Sequence, residues 1–204
     1  MSEPERIRVI PNGFDERRFR PVARDNAVPQ LITVCRQVPA KGLDVLLAAC
    51  AELKKRGRSF MLHLIGDGPI RPDLERMTVE LNIYEETCFY GYMLHPEQFM
   101  PFFDIFVLPS RAEAFGSVFA EAALCRLALV GTDVGGIAEQ IENGVTGLLV
   151  PVDDVAALAD AMERLVTDPE YRNKLAEAAW HKAKRTYSLS RAVEQLKNVY
   201  EFYA

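Results

Sequence analysis

Two kinds of hydrophobic spacing alternate along most of this chain. Short, nearly continuous apolar runs at 31–35, 60–65, 87–90, 105–108, 128–130 and 147–150 are separated by stretches whose apolar positions recur every three or four residues. The runs predict strands buried on both faces, since a half-exposed strand would alternate apolar with polar. The other stretches predict helices with one apolar stripe. Leu43, Leu46, Leu47, Cys50 and Leu53 share a face, as do Val155, Leu158, Ala159, Met162 and Leu165, while Leu74, Met77 and Leu81 mark a further helix. Asp153 and Asp168 stand where N-caps belong, with Pro169 at the first helical position, and Asn12-Gly13 and Asn143-Gly144 read as turns. The alternation predicts an α/β fold: a doubly wound, Rossmann-like parallel sheet of about six strands with helices on both faces. From Pro169 onward the pattern is helical only. Leu189, Val193, Leu196, Tyr200 and Tyr203 give the last helix one apolar face.

The first 30 residues fit this plan poorly. Residues 7–10 have strand character, but Pro11-Asn-Gly-Phe-Asp15 and the polar stretch to Gln30 read as a connection arriving from another domain. The expected organisation is a linker at 1–30, a Rossmann-like domain at 31–168 and C-terminal helices at 169–204. A second half of a longer protein, or one subunit of a split one, is the expectation. At 204 residues the chain is long enough for one well-buried core, and 49% hydrophobic with 26% charged residues is an ordinary globular composition. A net charge of −5 argues against nucleic acid as the main partner, which would need a basic stripe. Cys35, Cys50, Cys88 and Cys125 stand singly, without CxxC or metal-ligand spacing, and read as free thiols in a reducing compartment. No apolar run is long enough to cross a bilayer and the polar start is unlike a signal peptide, so the expected location is cytoplasmic.

Ligands of doubly wound sheets bind beyond the carboxyl ends of the strands. Here those ends carry Arg36 with Lys41-Gly42, then Gly66-Asp-Gly-Pro69, Gly91-Tyr92-Met93, Pro109-Ser-Arg-Ala-Glu113 leading to Phe115-Gly116-Ser117, and Gly131-Thr-Asp-Val-Gly-Gly136. Glu113 and Glu121 bracket an apolar segment with one glycine. Glycine ahead of a helix lets backbone amides approach an anion, and the helix start adds partial positive charge. Amides around Phe115, Gly116, Ser117 and Val118 would meet phosphate, with a carboxylate on either side to grip hydroxyls. Arg36 supplies a bidentate cation and Lys41 a point charge for a diphosphate. Gly91–Met93 offers a ledge for a flat base, through backbone and the Tyr92 or Met93 side chain. Each feature alone has an ordinary explanation: solvated charges for Arg36 and Lys41, a tight turn for Gly66 and Gly68, exposed positions for Glu113 and Glu121. His63 reads as a sheet-face histidine and His95 as the start of a helix. The ordinary explanations weaken only because all the loops share one edge.

These landmarks resemble the C-terminal, donor-binding domain of retaining glycosyltransferases of the GT-B fold, group 1 (family 4). The resemblance covers the whole chain and rests on Val9-Ile-Pro-Asn-Gly-Phe-Asp15, Arg36-(x)4-Lys41-Gly42, Gly66-Asp-Gly-Pro69, Phe89-Tyr-Gly91, Phe106-Val-Leu-Pro-Ser110, the Glu-(x)7-Glu segment and Gly135-Gly136 with Asn143-Gly-Val-Thr-Gly-Leu-Leu-Val150. It implies that Arg36 and Lys41 hold the donor diphosphate, that Glu113 lies by the donor sugar, and that Glu121 binds the ribose. Three positions depart from the family's habit: Ala114 for Gly, Ser117 for an aliphatic residue, and Ala138 for Pro; none removes a charged group.

The implied reaction transfers a sugar from a UDP-, GDP- or ADP-sugar to an acceptor hydroxyl with retained configuration. Arg36, Lys41 and Glu113 are its expected catalytic residues. Arg36, Lys41, Gly66, Tyr92, Met93, Glu113, Phe115, Gly116, Ser117, Val118 and Glu121 are its expected donor-binding set. No Asp-x-Asp motif is present, so no metal is expected and no cofactor beyond the donor. The expected partner is an N-terminal GT-B domain, in cis or in trans, which would supply acceptor groups and any peripheral membrane contact. The final helix would cross back onto that domain, leaving its apolar face and the edge bearing Arg36 and Glu113 exposed here. The alternatives are a non-catalytic nucleotide-sugar-binding subunit and, further off, an epimerase or phosphorylase of the same fold.

Overall fold

The structure is a computed structural model that describes the backbone of residues 7–203 and side chains from 7 to 202. Six parallel strands form one sheet: β1 (Gln30–Val34), β2 (Met61–Ile65), β3 (Thr87–Gly91), β4 (Ile105–Leu108), β5 (Ala128–Thr132) and β6 (Leu148–Val150), in the order β3-β2-β1-β4-β5-β6. The chain winds outward from β1 to β3 and then returns to place β4 on the other side of β1. This reversal puts a switch point between β1 and β4, where the helices that follow the two strands lie on opposite faces. The helices are α1 (Leu43–Lys55), α2 (Arg71–Glu80), α3 (Ser117–Leu124), α4 (Gly135–Gln140), α5 (Val155–Thr167), α6 (Pro169–Thr186) and α7 (Leu189–Tyr203).

Strand side chains alternate between faces, so a continuous apolar run feeds two cores at once. Leu31, Val107 and Val130 join Leu46, Leu53, Leu158 and Met162 in a core on one face. Their neighbours Ile32, Phe106, Leu108 and Leu129 join Phe119, Ile137 and Ala179 on the other. Register across the sheet sets Leu31 opposite Leu62 and Ile105, and Ile105 opposite Ala128, which keeps each layer in phase. Helix α6 buries Leu175, Ala176, Ala179 and Ala183.

Several predicted details move. The cap of α5 is Asp154, whose carboxylate accepts from the amide of Ala157 at 2.9 Å. Asp153 instead takes a left-handed backbone, φ 58°, and its side chain bonds Arg111. Residues 7–10 form no strand, and the turn near the start falls at 16–18 rather than at Asn12-Gly13. Gly13 is there for close approach: a Cβ would lie 2.7 Å from that of Ala192 on α7. Beside it, the Phe14 amide donates to the Tyr187 carbonyl and the Leu189 amide to the Phe14 carbonyl, both at 2.8 Å, stitching the first segment to the α6–α7 junction. On α7, Leu189, Val193, Leu196 and Tyr200 are exposed as expected. The Tyr203 side chain, and residues 1–6 of the predicted linker, lie outside the described residues.

Candidate functional site

The loops after β1 and β4 meet at the switch point. After β1 the chain makes a short 3-10 turn, Pro39–Lys41, and after β4 it runs through Ser110 and Arg111 to Glu113. Arg111 ties the two together. Its amide donates to the Ala40 carbonyl at 2.8 Å, and its guanidinium donates to the Pro39 carbonyl at 2.6 Å and to both Asp44 carboxylate oxygens at 3.0 and 2.7 Å. Its Nε reaches Asp153 at 2.7 Å. A planar fork of five donors can join four such acceptors; an ammonium cannot. Held this way, Lys41 and Glu113 form an ion pair, with side chains 21% and 15% exposed. The expected exposure of this edge therefore holds for Arg36 and fails for Glu113, because the lysine folds over it.

Arg36 is exposed, and its guanidinium has no hydrogen-bond or ion-pair partner among the described residues. With Gly66, Asp67, Tyr92, Met93, Cys35 and the ends of β1 and β2 it lines a cavity of about 420 Å³ with a mostly apolar wall. Gly66 has φ 122°, and a Cβ there would sit 1.9 Å from the Cys35 carbonyl oxygen, so the loop after β2 must lie directly on the end of β1. Gln37, fully buried, locks the same loop: its side chain donates to the Gly66 carbonyl at 2.9 Å and its amide to that of Asp67 at 2.8 Å. Burial pushes the Cys35 thiol up to about 11, with the Lys41 charge opposing and the Glu113 charge adding to the rise. Those couplings place the ion pair beside the cavity.

Gly116, φ 75°, caps α3, and among the described residues the amides of 115–118 have no acceptor. The first amides of α3, those of Ser117 and Val118, are thus free to donate to an anion. The Phe115 ring turns away to pack edge-on against Tyr187 at 5.8 Å, leaving its backbone as the contribution to this site. The buried Gln140 of α4 donates to the carbonyls of Phe115 and Gly116, which fixes the approach to α3. Glu121, in the second turn of α3, is half-buried rather than exposed. Its carboxyl has no hydrogen-bond partner among the described residues. Burial, then the neighbouring Glu97 carboxylate, pushes it up to about 7 against the opposing charge of Arg18. Arg18 itself pairs with buried Glu97 at 2.5 Å, and His95 bonds the same carboxylate at 3.1 Å.

The predicted residues thus fall into three adjacent groups: Arg36, Gly66, Tyr92 and Met93 around the cavity; Lys41 with Glu113; and the α3 start with Glu121. Sequence reasoning missed Arg111, Gln37, Gln140 and the Arg18–Glu97 pair. Only Arg111 left a trace, as a lone cation inside a strand-end motif. His63 is structural: it bonds Tyr90 at 3.0 Å and Gln30 at 2.7 Å, and burial lowers it to about 4. His95 does begin a turn, the 3-10 segment Pro96–Gln98, without capping it through its side chain.

A doubly wound sheet whose carboxyl edge carries cations and, among the described residues, free helix-start amides and an unpartnered acid defines a Rossmann-like domain. Residues 14–182 match the family described as glycosyl transferases group 1, and the chain belongs to that family. It is 39% identical over 176 residues to the alpha-D-kanosaminyltransferase of Streptomyces kanamyceticus, a match over 84% of this chain and 45% of that protein. It is also 34% identical over 223 residues to the D-inositol 3-phosphate glycosyltransferase of Saccharomonospora viridis, covering 98% of this chain and 51% of the relative. The chain therefore spans about half the length of the curated relatives it matches. Its fold is similar to the crystallised C-terminal domain of a group 1 glycosyl transferase (LpcC) from Francisella tularensis, with TM-score 0.77 and 23% identity, over 87% of this chain and all of that one. Anabaena Alr3699/HepE, crystallised with UDP and glucose, superposes with TM-score 0.85 at 22% identity, over 98% of this chain and 58% of that one. The fold is that of the C-terminal domain of GT-B glycosyltransferases.

Proposed function

We propose that this chain is the donor-binding half of a retaining glycosyltransferase, which moves a sugar from a nucleotide diphosphate sugar to an acceptor hydroxyl. The observation that carries the reading is the position of the Lys41–Glu113 pair, between the Arg36 cavity and the free amides of α3. A diphosphate lying across this edge meets Arg36, Lys41 and the start of α3. The Tyr92–Met93 wall takes the base, and the unpartnered Glu121 accepts from the ribose hydroxyls. Negative charge grows on the leaving diphosphate as the glycosidic bond breaks, and fixed cations and amides stabilise it without reorganising. Glu113 binds and orients the donor sugar; it is not a nucleophile. Arg111, Gln37 and Gln140 are positioning residues that hold the three loops in register. Acceptor groups come from an N-terminal GT-B domain in cis or in trans. In support, the relatives named above are glycosyltransferases, and the Anabaena protein was crystallised with UDP and glucose.

A thermal-shift panel of UDP, GDP, ADP and their sugars tests this, since a ligand that binds only the folded state raises its apparent stability. One nucleotide should raise the melting temperature in a saturable way, and mixing with a cognate N-terminal half should give transfer. Binding without transfer in that mixture would favour a non-catalytic subunit.

A further inference from the structure

The opposite edge of the sheet carries a second concentration of cations that the donor reading does not use. Ahead of β4 and β5, a polar cavity of about 360 Å³ is lined by Arg24, Arg126 and Arg172 with Asp104, Asn26 and Asn173. Arg24 comes from the first segment. Its guanidinium donates to the carbonyls of Phe103 and Arg126, the latter at 2.6 Å. Arg172 of α6 donates to the Leu165 carbonyl at 2.8 Å. Neither has a carboxylate partner among the described residues. Burial lowers Arg24 below the usual arginine range, and the charges of Arg126 and Arg172 push the same way. Asp104 acts on Arg24 through space, but its carboxylate is bonded to the Asn26 side chain at 3.0 Å and the Gln30 amide at 2.9 Å. Asp25, exposed, also lines the cavity.

Arg126 adds an independent observation. The Arg126 amide donates to the Ala123 carbonyl at 2.9 Å and the Leu127 amide to that of Ala122 at 3.1 Å, so α3 ends in a Schellman closure with Arg126 at the left-handed position, φ 61°. Glycine suits that position; an L-side chain there costs about 1–2 kcal/mol. The closure needs only backbone, so it does not explain an arginine. The left-handed turn directs the Arg126 carbonyl to Arg24. The Arg126 guanidinium pairs with Glu177, which also bonds His181 at 3.1 Å. Each guanidinium has five donors, and those here are only partly used.

We infer that this cavity is a binding site for a small phosphoryl oxyanion, inorganic phosphate or the phosphate of a small metabolite, held between Arg24, Arg126 and Arg172. Guanidinium forks from three separate elements, the first segment, the turn after α3 and helix α6, suit a tetrahedral oxyanion, which also gives Arg24 and Arg172 the bonded anionic partner they lack among the described residues. The site lies on the edge away from Lys41 and is independent of the donor reading.

The test is calorimetric titration of this chain with inorganic phosphate in a Lys41→Ala background, which weakens the donor edge. One saturable site is expected. Arg126→Gly should weaken it roughly tenfold or more while the melting temperature holds or rises, because glycine relieves the left-handed backbone. Arg172→Gln should weaken it as well. Absence of binding in the Lys41→Ala background, or binding unchanged by both arginine substitutions, would overturn the inference. UDP binding by Arg126→Gly, unaltered from the parent chain, keeps this result separate from the donor reading.

Discussion

Removing the charge of Glu113 should tighten nucleotide diphosphate binding. The Lys41 ammonium is engaged by Glu113, in a pair only 21% and 15% exposed. A diphosphate must compete for that cation and also tolerate the carboxylate beside it. Two unit charges about 4 Å apart attract by about 4 kcal/mol at an effective dielectric of about 20, and desolvation cancels much of this. A net coupling of roughly 1–2 kcal/mol remains for the ligand to overcome, which corresponds to about 5–30-fold in affinity. Glu113→Gln keeps shape and hydrogen bonding but frees the lysine. Calorimetry with UDP, GDP or ADP, whichever binds, should show that gain, and Lys41→Ala should abolish it in a double-mutant cycle. The gain should shrink with the nucleotide sugar, whose sugar loses its Glu113 contact, and transfer should fall. Unchanged or weaker nucleotide binding by a normally folded Glu113→Gln protein would refute the argument.

Three further outcomes follow from the geometry. Glu121 has a folded-state pKa of about 7 against 4.5 for the free group, so folding favours its protonated form. Its stabilisation is complete below the lower value and is lost as pH rises through about 7. Across that range wild type should lose roughly 3 kcal/mol relative to Glu121→Gln in paired urea melts, and parallel curves would contradict this. Nucleotide affinity should move the other way, rising as the carboxylate forms. Arg111→Ala should lower stability by about 1–3 kcal/mol in urea melts and loosen nucleotide binding, and Arg111→Lys should recover little, because an ammonium cannot span Asp44 and Asp153. Gly66→Ala should cost at least about 2 kcal/mol or prevent folding, since its Cβ would meet the Cys35 carbonyl oxygen; a wild-type melting temperature would be the contrary result.

The sheet was legible because burial on both faces leaves a plain mark: 105–108 is apolar at every position and forms β4 as predicted. The helical stripes of α1 and α5 were equally plain. Ends were less so. Asp153 and Asp154 are both sound caps by chemistry, and the choice is made by Arg111, distant in sequence, which draws Asp153 away. Gly13 looked like a turn because a glycine needed for packing is indistinguishable in sequence from one needed for a positive φ. In the site, residue types at strand ends brought Arg36, Lys41, Glu113 and Glu121 forward. Their mutual arrangement was not legible, because it depends on tertiary contacts: the Arg111 clamp that folds Lys41 onto Glu113, and the Arg18–Glu97 pair that lies beside Glu121. Gln37 and Gln140 look like ordinary polar loop and helix residues until their burial is known.

Calorimetric titration of the chain with UDP, GDP and ADP shows whether the carboxyl edge of this sheet holds a nucleotide diphosphate. At least one should bind at a single site. Lys41→Ala and Glu121→Ala should each weaken that binding about tenfold or more while the protein melts as a folded domain. Absence of binding by all three nucleotides, or affinity indifferent to both substitutions, would contradict the account.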